Sequence, residues 1–163
     1  MKYFLYTLFC LAPFLVAAQD YSAQAKTYFS KYQNSRAFIE LCSKSLPTVD
    51  ECKLVFKGQN AYTYFGYIEE VRTNISEQIN KESENFADIR IDTFNSNDIQ
   101  DNKGNYAGGM RRLKDILQGY ITFYEVNLLR TKDAEFGVAY KYWLNINGRW
   151  VFFPKPWNAF DKE

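Results

Sequence analysis

The spacing of apolar residues changes period several times along this chain, and each change marks an element. Tyr21, Ala25, Tyr28, Phe29 and Tyr32 recur at helical spacing, and Phe38, Leu41 and Cys42 resume it after Asn34-Ser35. This predicts one amphipathic helix, or two with a break at the polar pair. Thr48 stands three residues before Glu51, the spacing of a capping box, so a short helix is expected to open there and run through Phe56 before Gly58. Asn60 is the candidate cap of a longer helix, whose stripe is Ala61, Tyr64, Phe65, Ile68, Val71, Ile75 and Ile79 with a charged opposite face. That stripe reads as a face lying on a sheet, not as a cofactor site.

Beyond it the period shortens to two. Phe86 to Phe94 alternates as a strand, with Ile89 and Ile91 on one face and Arg90 and Asp92 on the other. Asn95 to Gly109 is polar and glycine-bearing and reads as a solvated loop, and Met110, Leu113, Ile116 and Leu117 predict a short helix ended by Gly119. Ile121 to Arg130 follows as a strand. Val138 to Ile146 and Arg149 to Phe153 are rich in aromatic and β-branched residues and flank Asn147-Gly148, which predicts a type I′ hairpin. A two-residue turn places Ile146 opposite Arg149, Asn145 opposite Trp150, Leu144 opposite Val151, Trp143 opposite Phe152 and Tyr142 opposite Phe153. Both faces of this ribbon are therefore apolar and need cover, or one face is left for a ligand or partner. Pro154 and Pro156 end the last strand near a sheet edge.

Helices first, then a strand, a short helix and a meander make the expected fold α+β, with the N-terminal helices packed on one face of a curved antiparallel sheet. The 163 residues suit one domain. Met1 to Ala18 reads as an export signal, with Lys2 at its start, an apolar run from Phe4 to Val16 and small residues at Val16-Ala17-Ala18. Cleavage is expected after Ala18, leaving residues 19–163 as a single α+β domain that is periplasmic or secreted. The run is shorter than the ~20 residues of a spanning helix, so no membrane span is expected after cleavage.

Composition narrows the chemistry. The chain has no histidine, which removes Ser-His-Asp and Cys-His catalysis, histidine zinc sites and any histidine pH switch. A formal net charge of +1 supplies no global field for nucleic acid, and no nucleic-acid partner is expected. Cys42 and Cys52 remain after signal cleavage, and export would permit a disulfide between them around Leu46-Pro47. The acidic run Asp98 to Gly104 fails as an EF-hand loop, because counting back from Gly104 puts Ile99 at the first ligand position. Gly108-Gly109 lacks the spacing of a Walker or dinucleotide loop, and Asn74-Ile75-Ser76 is a sequon placed mid-helix. No cofactor and no metal site is expected.

The element order resembles the NTF2-like and cystatin-like α+β rolls. The stretch Tyr142-Trp143-Leu144-Asn145-Ile146-Asn147-Gly148-Arg149-Trp150-Val151-Phe152-Phe153-Pro154-Lys155-Pro156-Trp157 also resembles the end of a group of uncharacterised secreted bacterial proteins. Neither resemblance supplies functional residues. The leading expectation is a non-catalytic binding module holding an apolar ligand or a protein partner, with Trp143, Trp150 and Phe152 on one hairpin face as candidate contacts; the competing reading makes all three core. A second function follows from what the roll resemblance implies, an isomerase or dehydratase with a carboxylate and a tyrosine in an apolar cone. Glu125 and Tyr142 are its candidates. They face one another if Arg130 pairs with Gly137, and a one-residue slip, as with Val138 as partner, separates them. A secreted protein inhibitor is the third expectation.

Overall fold

The computed structural model describes residues 21–78 and 83–161. The expected signal segment Met1 to Ala18, with its cleavage point, and Ile79 of the long stripe lie outside the described residues. Where the sequence left one helix or two, there are two: α1, Ser22–Phe29, and α2, Ser35–Lys44. Asn34 makes the break, because its backbone is extended and its Oδ1 accepts from the backbone N–H groups of Arg36 and Ala37 at 3.1 and 3.3 Å. Helix α3, Val49–Val55, opens on the expected capping box, with the Thr48 backbone N–H donating to Glu51 Oε2 at 2.8 Å and the Glu51 N–H to Thr48 Oγ1 at 3.3 Å. Helix α4 spans Asn60–Gln78. Among the described residues no helix is long and apolar enough to cross a membrane.

Four antiparallel strands form an open sheet in chain order: β1, Asp88–Asn95; β2, Thr122–Leu129; β3, Val138–Ile146; and β4, Arg149–Phe152. The β1–β2 connection corrects the sequence reading. Instead of a solvated loop there is a helix, α5, Ser96–Asp101, because Asn95 and Asp98 cap it reciprocally and Ile99 is fully buried beneath it. The short helix expected at Met110 is a 3-10 helix, Gly108–Leu113, which ends before Ile116 and Leu117.

The helices divide between the two faces of the sheet, where a single helical layer was expected. On one face Phe29 of α1 meets Trp143 and Trp150 at ring separations of 4.8 and 5.2 Å, and Phe38 of α2 meets Tyr140 at 4.5 Å. On the other, Tyr64 of α4 stacks on Phe153 at 5.5 Å, and Phe56 lies against both. The reason is the ribbon's apolar character on both sides: leaving either face wet would forgo roughly 25 cal/mol for each Å² of apolar surface.

The hairpin has the expected register, with Asn147 and Gly148 at φ 51° and 82°. Pairing of β2 with β3 is less regular. Leu128, Asn127 and Val126 oppose Val138, Ala139 and Tyr140, whereas Tyr124 opposes Trp143, so a bulge intervenes. Two residues, Lys141 and Tyr142, therefore stand against Glu125 alone. The inner half follows the register of a Gly137 partner, and the outer half slips by one residue. Neither uniform pairing considered from the sequence describes the strand.

The expected disulfide is absent: Cys42 and Cys52 are free, buried thiols. Each is committed to a different neighbourhood, Cys42 on α2 beside Tyr140 and Cys52 on α3 beside Tyr64. Burial raises the Cys42 thiol well above the ordinary range, and burial with the nearby Glu51 charge pushes Cys52 up to about 12.

Candidate functional site

Strand β4 covers only part of β3. Its pairing takes in Trp143 to Ile146, after which the Phe153 N–H donates to the Tyr142 carbonyl at 2.9 Å and the chain leaves the sheet at Pro154. Proline ends the ladder there because it has no N–H to contribute. The outer edge of β3 from Val138 to Lys141 is left without a β4 partner. Alongside it lies a groove of about 700 Å³, walled by α2, α4 and the 3-10 turn Pro156–Phe160. Ile39, Val71, Ile75, Phe152 and Trp157 give it an apolar lining. The polar side chains on it include Asn74, Asn158, Lys141 and Lys155, and among the described residues no carboxylate lines it.

Tyr142 and Lys155 are the two residues of this wall at positive φ, and Tyr142 is the bulkier. Its φ is 74°, a value that costs a bulky residue of order 1–3 kcal/mol and persists only where surrounding contacts enforce it. Those contacts are Phe94, Phe123 and Trp157, whose rings stand edge-on to it at 6.1, 6.5 and 5.2 Å. The hydroxyl is buried and, among the described residues, has no hydrogen-bond partner. Burial, and then the charge of Glu125, raise its pKa, so the phenol stays protonated. Trp157 is seated on Gly109, where a Cβ would lie 2.5 Å from the indole ring. The glycine pair read from the sequence as a weak anion motif thus lets a tryptophan pack close to the backbone.

A second concavity of similar size lies between Leu54 of α3, Tyr120 and the hairpin end, and among the described residues no charged side chain lines it. It lacks the cationic rim and the strained backbone of the first.

Trp143 is fully buried between Phe29 and Phe38, with its Nε1 unpartnered, and Trp150 is 6% exposed against Phe29 and Tyr124. Both belong to the core, as the competing sequence reading had it. Phe152 is buried too, yet it backs the groove. Glu125 does face the bulge that holds Tyr142, but its Oε2 pairs with Lys141 Nζ at 2.9 Å and the carboxylate does not line the groove. It belongs to a polar half-face with Asp92, Arg90 and Asn127, tied by an Arg90–Asp92 ion pair and an Asn127–Asp92 hydrogen bond, both at 3.0 Å. Glu125 and Tyr142 are therefore adjacent in register, and the carboxylate's charge is felt at the phenol, but only Tyr142 lines the groove.

Sequence reasoning passed over Tyr67, Trp157 and Lys155. The third carried a usable signal, since Pro154-Lys155-Pro156 holds a cation between two residues of restricted φ. Lys155 itself adopts φ 38°, and its carbonyl accepts from the Asn158 N–H at 3.0 Å, but its side chain is exposed and among the described residues the ammonium has no ionic or hydrogen-bonding partner. The chain matches no protein-family model, no curated protein and no solved structure, so its function has to be argued from this groove.

Proposed function

We propose that this chain is an exported, non-catalytic binding module whose groove between α2, α4 and β3 holds an apolar ligand. One observation carries the reading. A concavity of about 700 Å³, of the size that takes a small molecule, runs along a strand edge left bare by β4, with Tyr142 held at positive φ in its wall. Strain kept at the wall of a cavity is a mark of function. Binding is favoured over acid–base chemistry by the separation of Glu125 from the groove and its pairing with Lys141.

Native mass spectrometry of the protein purified gently from its own cell envelope tests this. The expected result is a reproducible added mass that disappears in Val71→Trp, a substitution that fills the groove from α4, while circular dichroism shows the fold retained. A spectrum holding only the bare chain, or an adduct untouched by Val71→Trp, overturns the groove as the site.

A further inference from the structure

Among the described residues, every polar side chain on the groove other than the lysines is an amide, a phenol or a thiol, and both charges on it are positive. The two cations are in different states. Lys141 is spoken for, because Glu125, only 12% exposed, holds it at 2.9 Å from behind the bulge. Lys155 has no such partner among the described residues, and it stands at the groove with the amides of Asn74 and Asn158 also on the lining. Its backbone stands in the left-handed region at φ 38°, which fixes where the side chain starts.

We infer that the ligand is an amphiphile with an anionic head, its apolar body along Ile39, Val71 and Trp157 and its head paired with Lys155. The inference rests on the groove being a ligand site and adds the charge of what it takes. An uncharged apolar body would fill the lining but leave the unpartnered cation unused. A cationic head would meet two positive charges and, among the described residues, no carboxylate, a repulsive arrangement. An anion gains a charge-assisted hydrogen bond from an ammonium that has no competing internal partner.

The test compares decanoate, 1-decanol and decylammonium, three probes with one chain length and different heads, by the change in tryptophan fluorescence as Trp157 is covered. Decanoate is expected to bind about tenfold more tightly than decanol, and decylammonium more weakly than either. K155Q is expected to bring decanoate down to the decanol level. Raising the salt from about 20 to about 500 mM should weaken decanoate and spare decanol, a readout on the unaltered protein that does not depend on how the variant folds. Equal binding of decanoate and decanol, or preference for decylammonium, overturns the anionic head and leaves the apolar groove standing. No binding by any of the three overturns the head inference and the binding function together.

Discussion

Lys141 reaches back across the β3 bulge to Glu125, Nζ to Oε2 at 2.9 Å, so that the sheet's misfit residue and its ion pair are one feature. A bulge sets two residues against one, and here the single opposing residue carries the charge that one of the two requires. The consequence reaches the groove, because Lys141 is also on its lining. Glu125→Gln is expected to lower stability by about 1 kcal/mol, the scale of a partly exposed pair. It should also raise the affinity for decanoate severalfold, since a cation at the groove loses its counter-charge. Urea unfolding and the fluorescence titration check the two effects. Stability loss with no gain in anion affinity would mean that the Lys141 charge is not felt at the groove.

Glu51 links the first turn of α3 to the hairpin end through Arg149, which also donates to the carbonyls of Lys44 and Leu46 at 3.4 and 3.3 Å. Burial pushes the Glu51 carboxyl upward, but hydrogen bonds from Thr48 and Arg149 together with the Arg149 charge outweigh it and hold the pKa below the ordinary value of 4.5. A carboxylate whose folded pKa is depressed contributes stability that is present above its unfolded pKa and is lost as pH falls through the folded one. Stability should therefore decline as pH drops below the ordinary glutamate value, and Glu51→Gln should flatten part of that slope. Urea midpoints measured from pH 6 down to about pH 3 for both proteins give the comparison. Parallel curves would remove Glu51 from the acid response.

The unpartnered hydroxyl of Tyr142 makes a prediction of unusual sign for a core residue. Removing a buried donor that bonds to nothing spares its desolvation cost, so Tyr142→Phe should leave the fold as stable or raise its stability by about 1 kcal/mol. The ring and its contacts with Phe94, Phe123 and Trp157 are retained. Thermal unfolding measures the change. A loss of stability would show that the hydroxyl has a partner in the folded protein.

Cys42 and Cys52 should be unreactive in the native protein and free in the unfolded one. Both are buried, and both thiols are shifted upward, so little thiolate forms near neutral pH. Iodoacetamide without reductant should label neither peptide before denaturation and both after it, as read by peptide mapping. Peptides that stay unlabelled until a reductant is added would establish a disulfide.

Local rules in the sequence decided the hairpin register, the capping box at Thr48 and Glu51, and the end of β4 at the prolines, whereas the Asn34-Ser35 pair left one helix or two open. Each depends on residues a few positions apart, acting through turn geometry, caps or a missing N–H. The missed helix α5 obeys the same kind of rule, and its Asn95–Asp98 box could have been read. What tertiary structure alone decided were relations between distant segments. The bulge at Lys141 and Tyr142 depends on how β2 fits a strand already held by β4, and a change of one residue in register turns side chains to the other face. Two layers of helix, in place of one, follow from the need to cover a ribbon apolar on both sides, a need that was visible although its solution was not. The division of Trp143 and Trp150 into core, and of Phe152, Trp157 and Lys155 into groove, came last. Burial of an aromatic ring is set by what packs over it, and those partners lie on α1, α2 and α4, far away along the chain.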